Sequence, residues 1–262
     1  VHVVLGQLDI AWEDPEANIR RVGDALRSLR PRRGSWVILP EMWATGFSMD
    51  ASRTCGEAAR LATEAQRGWA MEFGGRVLGG IASQVEGKPM NRIVGHDASG
   101  REWLAFAKLH GFSPANEPAI YAPGSGVVVC DADDCRVAPF LCYDLRFPEV
   151  FREASALGAD LMVVAANWPA RRDRHWRALL VARAIENQAW VVGVNRAGAD
   201  PHATYAGRSL VVDPTGVVRA DLGEGERWLG LDIDITEAAR WRAEFPAWKD
   251  RRPAGVRLTG GT

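Results

Sequence analysis

The chain has 262 residues, 47% of them hydrophobic and 25% charged, a soluble composition long enough to bury a substantial core. Its 32 Lys and Arg nearly cancel 33 Asp and Glu, leaving a formal charge of -1, so no global field draws it to nucleic acid or anionic lipid. The longest apolar runs, such as Val127 to Cys130 and Leu161 to Ala166, fall far short of the roughly 20 residues that cross a bilayer.

Strand-like and helix-like runs alternate along the whole length, which predicts a layered α/β or α+β fold without a linker, one domain over residues 1–262. The opening VHVVLGQLDIAW has no basic lead segment and no small-residue cleavage site, so Val3 to Asp9 reads as a buried first strand and a cytoplasmic setting is expected. Pro15 to Leu29 reads as a helix, with Asp14 as N-cap and Ile19, Val22, Leu26 and Leu29 on one face. Trp36 to Leu39 follows as a strand, then a helix over Ala58 to Phe73 and a strand over Val77 to Ser83. Met90 to Asp97 turns through Asp97-Ala98-Ser99-Gly100 into Glu102 to Ala107, a hairpin. Gly126 to Asp131 and Arg136 to Leu141 flank Asp133-Asp134 as a second hairpin. Glu149 to Leu157 reads as a helix ended by Gly158, Leu161 to Ala166 as an interior strand, and Arg174 to Gln188 as a helix leading into the strand Trp190 to Asn195. Ser209 to Val212, Val217 to Leu222 and Trp228 to Ile235 are predicted to form a closing meander. The segment 238–262, rich in Arg, Trp and Pro, is expected to pack on the body or on a second subunit, since Trp241 and Trp248 favour docking.

Three positions break the local pattern: Glu41 after the apolar run WVILP, Lys108 after WLAFA, and Cys142 after VAPFL. Each is a reactive group at the end of a buried strand, where layered α/β proteins place their ligands. Taken singly, each has an ordinary explanation. Cys142 has the look of an inert buried thiol, Lys108 of a strand-end lysine reaching for solvent, and Glu41 of a turn or helix-cap carboxylate. Two features sharpen the reading. The chain has only three lysines (Lys88, Lys108, Lys249) among its 32 basic residues, and a compact ammonium suits a developing alkoxide better than a guanidinium fork does. After Cys142, Tyr143-Asp144-Leu145-Arg146-Phe147-Pro148 predicts a tight turn into a helix, with backbone N–H groups aimed at the sulfur. Cys130 lies inside an alternating strand, Cys55 and Cys135 sit beside polar turn residues with no nearby base, and with no C-x-x-C pair the four cysteines do not make a disulfide framework.

The set of Glu, Lys and Cys at three strand ends, in that order, resembles the nitrilase superfamily of carbon–nitrogen hydrolases. The resemblance spans the chain through PEMWATGFS, KLHGFSPANE, CYDLRFPE, GADLMVVAANWP, ARAIENQAWVVGVNR and SLVVDPTG. The form KLHxFxxxNE, with FPAWKD near the end, is most similar to the ω-amidase branch, which deamidates 2-oxo acids such as 2-oxoglutaramate. The resemblance implies a four-layer α-β-β-α sandwich whose subunits pair through helices, so a homodimer or higher homo-oligomer is expected. It implies Cys142 as nucleophile, Glu41 as general base, Lys108 as oxyanion stabiliser and Glu117 as a second glutamate of the site. One departure is Arg208 before Ser209, where relatives often carry His.

The chemistry of an amide asks for a nucleophile and a proton source together, and a thiol with a carboxylate supplies both. The expected reaction needs an amide substrate and water, with no metal and no organic cofactor. The backbone N–H of Tyr143 joins Lys108 at the oxyanion, and Lys108→Ala is expected to cripple turnover without unfolding the protein. The histidines fit neither a metal spacing nor a Cys/His pair, and His110 reads as packing. Phe112 and Trp168 are expected pocket walls, and Arg146, Arg171, Arg172 and Arg174 are candidates for a substrate carboxylate, with Arg146 equally suited to bracing its own turn. A nitrilase, carbamoylase or general aliphatic amidase would use the same three residues. A catalytically silent oligomeric binding module is the alternative of a different class, marked by a Cys142 that resists alkylation.

Overall fold

The computed structural model describes residues 1–133 and 135–252. In chain order the elements are β1 (His2–Gln7), α1 (Pro15–Leu29), β2 (Trp36–Ile38), a one-turn α2 (Ala51–Thr54), α3 (Glu57–Phe73), β3 (Arg76–Val85), β4 (Lys88–His96) and β5 (Glu102–Ala107). The second part holds β6 (Cys130–Ala132), β7 (Cys135–Leu141), α4 (Pro148–Ala156), β8 (Leu161–Ala166), α5 (Asp173–Asn187) and β9 (Trp190–Asn195). Then come β10 (Ala197–Ala199), β11 (Thr204–Ala206), β12 (Leu210–Val212), β13 (Val218–Asp221), β14 (Arg227–Asp232) and α6 (Thr236–Glu244).

Two six-stranded sheets result, in the orders β14-β1-β2-β3-β4-β5 and β13-β12-β9-β8-β7-β6. Each contains a parallel trio, β1-β2-β3 in one and β7-β8-β9 in the other, extended by antiparallel strands on both sides. Side-chain alternation explains how the layers stack. Val3, Leu5, Trp36, Ile38 and Leu78 turn to one apolar cluster, which they share with β7, β8 and β9 of the second sheet. Val4, Val37, Leu39 and Val77, one residue out of phase, meet Val22 and Leu26 of α1 and Trp69 of α3. The second sheet is covered on its far side by α4 and α5 through Phe151, Ala154, Leu180 and Ala184. The order of layers is therefore helix, sheet, sheet, helix, as expected. Phe140 ties three of them, lying 6.0 Å from the Phe106 ring and stacked at 3.8 Å on Phe151. Full burial of such a ring contributes about 1.5–3 kcal/mol.

Two expectations need correction. The strand expected over Trp228 to Ile235 does not close a meander with its predecessors; β14 crosses to the other sheet and pairs antiparallel with β1, from His2 opposite Asp232 to Gln7 opposite Arg227. Alternation shows that a strand exists but not which edge it joins. Gly6 makes that edge fit, because a Cβ there would lie 2.8 Å from the Trp228 ring, and the Gln7 amide donates to Gly223 O (2.9 Å) and Gly225 O (2.6 Å) at the crossing. The arm expected over Gly126 to Asp131 pairs only from Cys130, where β6 meets β7. The segment from Ala238 takes in most of α6, whose Arg242 donates to Asp160 Oδ1 (3.0 Å) and to Ala159 O (2.6 Å). Asp134 of the expected turn, and the tail beyond 252, lie outside the described residues.

Candidate active site

The strand ends predicted to converge do so. Glu41 comes three residues after β2, on backbone pressed so tightly to β3 that a Cβ at Gly80 would lie 2.5 Å from Glu41 Cα. Lys108 follows β5 directly, its N–H bonded to Asn91 O (2.9 Å) and its carbonyl accepting from Gly124 N (2.8 Å). Cys142 follows β7 with φ at +42°, a left-handed conformation that costs a β-carbon residue energy and turns the thiol out of the strand direction. Asp144 holds that turn. Its buried carboxylate accepts from Leu141 N (3.1 Å), His110 N (2.9 Å) and His110 Nδ1 (2.8 Å), and the His110 ring stacks on Phe147 at 3.8 Å.

Lys108 Nζ donates to Glu41 Oε1 (2.8 Å) and to Glu117 Oε2 (2.8 Å), with all three side chains buried. Asn91 Nδ2 spans the same two carboxylates, at 2.8 Å from Glu41 Oε1 and 2.9 Å from Glu117 Oε1. Glu117, carried on a short 3-10 turn, also accepts from Phe112 N (2.6 Å). Glu41 Oε2 accepts from Asn167 N (3.0 Å), the first residue past β8. The second glutamate thus belongs to the cluster, while Asn91, Asn167 and Asp144 join it unforeseen.

Burial alone pulls the Lys108 ammonium toward losing its proton, but the Glu117 and Glu41 carboxylates outweigh it, and Lys108 stays charged. Burial pushes the Cys142 thiol well above its ordinary range; Glu41 adds to this, and Lys108 offsets only part. A thiol shifted in this direction favours its protonated form, which suits the expected pairing of Cys142 with a base. Cys55, Cys130 and Cys135 are also raised by burial and lie away from this cluster.

Cys142 opens into a cavity of about 410 Å³. Phe112, Tyr143, Arg146 and Trp168 all line it, as do Arg171 and Arg172, whereas Arg174 does not. The Arg146 guanidinium lies over the Trp168 ring at 4.8 Å and that of Arg172 over Phe112 at 5.1 Å. The β10–β11 hairpin also lines the cavity, with Asp200 and Tyr205, and its two short strands carry no alternation that would have marked them. Arg208, the departure noted above, pairs with Asp173 and Glu224 outside this cavity. Among the described residues no group of three or more His, Cys, Asp or Glu side chains is arranged to hold a metal ion, and no helix is long and apolar enough to cross a membrane.

Fold and site define an enzyme that hydrolyses carbon–nitrogen bonds. The sequence model of the carbon-nitrogen hydrolase family matches residues 3–243, and the chain belongs to that family. It is 36% identical to the omega-amidase YafV of Escherichia coli K12, over 95% of each chain. It is 31% identical to the 2-oxoglutaramate amidase of Bacillus subtilis, over 94% of this chain and 95% of that one. The crystal structure of XC1258 from Xanthomonas campestris, a CN-hydrolase superfamily protein with an arsenic adduct in its active site, superposes with a TM-score of 0.90 at 32% identity, covering 98% of this chain and 99% of the other.

Proposed function

We propose that this hydrolase releases ammonia from the distal amide of short 2-oxo acids, 2-oxoglutaramate being the type. One observation carries the reading. The cavity holds the Cys142 thiol and three guanidinium groups, Arg146, Arg171 and Arg172, and no carboxylate among the described residues pairs with any of the three. Asp200 lines the same cavity, but its oxygens are taken by Arg196, the Tyr205 hydroxyl and the N–H groups of His202 and Ala203. Arg172 is held below its usual range by burial and then by Arg171 and Arg146, the mark of a cluster short of negative charge. A substrate with a carboxylate at one end and an amide at the other supplies it. The names of the Escherichia coli and Bacillus subtilis relatives support the same substrate class.

In the mechanism Glu41 takes the Cys142 proton and the sulfur attacks the amide carbon. The carbonyl oxygen becomes an oxyanion that meets the Lys108 ammonium and the Tyr143 N–H. Glu41 gives its proton to the nitrogen, the carbon–nitrogen bond breaks, and ammonia leaves a thioester on Cys142. Water then loses a proton to Glu41 and attacks the thioester; the carbon–sulfur bond breaks, and the proton returns to sulfur. Glu117 and Asn91 hold Lys108 and Glu41 in place throughout. Phe112 and Trp168 wall the acyl chain while Arg146, Arg171 and Arg172 hold its carboxylate.

The reading includes a cytoplasmic homodimer. The four cysteines are free thiols, which suits a reducing compartment. Leu157, Ile185, Phe245 and Trp248 leave large apolar side chains exposed just past α4, on α5 and on the segment after α6, and light scattering should return twice the chain mass. The substrate is tested by ammonia release from 2-oxoglutaramate, glutamine, a carbamoyl amino acid and a simple nitrile. The highest kcat/KM belongs to 2-oxoglutaramate; a preference for the nitrile or the carbamoyl compound overturns the assignment.

A further inference from the structure

Asn167 lines the cavity beside Cys142 and is only 3% exposed. Its Nδ2 donates to the Glu41 carbonyl (2.7 Å), with a longer contact to Glu41 Oε2 (3.4 Å). Those contacts fix the side-chain amide, so Oδ1 is the end left over, and among the described residues Oδ1 has no hydrogen-bond partner. A buried acceptor without a donor is disfavoured in a folded chain and marks a place that a ligand completes. The other side-chain oxygens in this condition belong to Asn91, Asn187 and Gln188, none of which lines the cavity.

We infer that Asn167 Oδ1 accepts an N–H from the substrate's –NH2 group and thereby selects primary amides over esters and nitriles. The inference rests on the amide-hydrolase reading above. A primary amide offers two N–H donors. As Glu41 delivers its proton and the carbon–nitrogen bond breaks, the departing nitrogen carries three hydrogens and more positive charge, so the bond to Oδ1 strengthens along the reaction. An ester oxygen and a nitrile nitrogen bring no hydrogen, and with them the buried acceptor stays unpaired, the condition under which a polar site discriminates best.

The test compares kcat/KM for the 2-oxo acid ω-amide with that for the matching ω-methyl ester, in wild type, Asn167→Ala and Asn167→Ser. Both substrates pass through the same acyl group on Cys142, so their ratio isolates the leaving-group end. Glu41→Gln run in parallel gives the fall due to lost proton delivery alone, which the Asn167 variants must show while they keep turnover well above that of Glu41→Gln. The inference expects the amide-to-ester ratio to fall about tenfold or more in Asn167→Ala. Asn167→Ser, whose hydroxyl is too short to replace the lost acceptor, should show the same fall and stands in if the alanine variant does not melt cooperatively. An unchanged ratio in a folded variant, while wild type cleaves both substrates, overturns this inference alone. Wild type that cleaves the ester but not the amide overturns the amide reading and this inference with it.

Discussion

The ammonium of Lys108 sits 2.8 Å from Glu41 Oε1, with 3% and 0% of the two side chains exposed. The sequence suggested that losing this lysine would spare the fold. Its burial between two carboxylates changes that expectation, because truncation leaves both acids enclosed without their cation. Lys108→Met should lower turnover at least about 10²-fold and stability by about 3–5 kcal/mol. Steady-state kinetics beside urea unfolding checks both; a variant as stable as wild type contradicts the pairing argument.

Asn91 gives one amide group to Glu41 and Glu117, so it sets their spacing without reaching the cavity. Asn91→Leu should reduce kcat about 10–100-fold, the range for hydrogen bonds to charged groups, and leave KM within about twofold. A variant that raises KM at unchanged kcat would place Asn91 in substrate binding instead.

The three guanidinium groups in the cavity should act on the carboxylate end of the substrate alone. Arg172→Leu is expected to raise KM for 2-oxoglutaramate about tenfold or more, while a neutral aliphatic amide is turned over as by wild type. Equal losses on both substrates would mean that Arg172 serves the wall, through its contact with Phe112, and not the ligand.

Cys135 carries a pH prediction. Burial pushes its thiol from 9.0 to about 12, so between these values the unfolded chain releases a proton that the folded chain keeps. The unfolded state then binds fewer protons, and stability present below pH 9 is lost as the pH rises. The urea midpoint should fall between pH 8 and pH 10, and less steeply in Cys135→Ala. Identical slopes in the two proteins would remove Cys135 as a source of the alkaline loss.

Much of this was legible before any coordinates. Apolar runs ending in Glu41, Lys108 and Cys142 located the reactive groups, because a sheet holds its strand ends still and buried strands announce themselves. The same rule applied once more would have found Asn167, which ends the run LMVVAA as Glu41 ends its own. Asn91 left a fainter mark, a polar residue in phase with the inward-facing Ile93 of β4. Asp144 left none, since its partners, Leu141 and His110, are the last residue of β7 and a loop residue 34 positions earlier. The position of β14 was equally closed to a local reading. Its alternation suits any open edge, and the choice of β1 depends on a glycine more than two hundred residues earlier, where the Trp228 ring settles.

Burial and the Glu41 carboxylate push the Cys142 thiol well above its ordinary range, and the proposed mechanism turns on that sulfur as the attacking atom. Ammonia release by Cys142→Ala, on protein shown to melt cooperatively, measures this most directly. The account predicts loss of turnover by several orders of magnitude, as removal of a nucleophile demands. A folded variant that keeps more than about a tenth of wild-type turnover would contradict it.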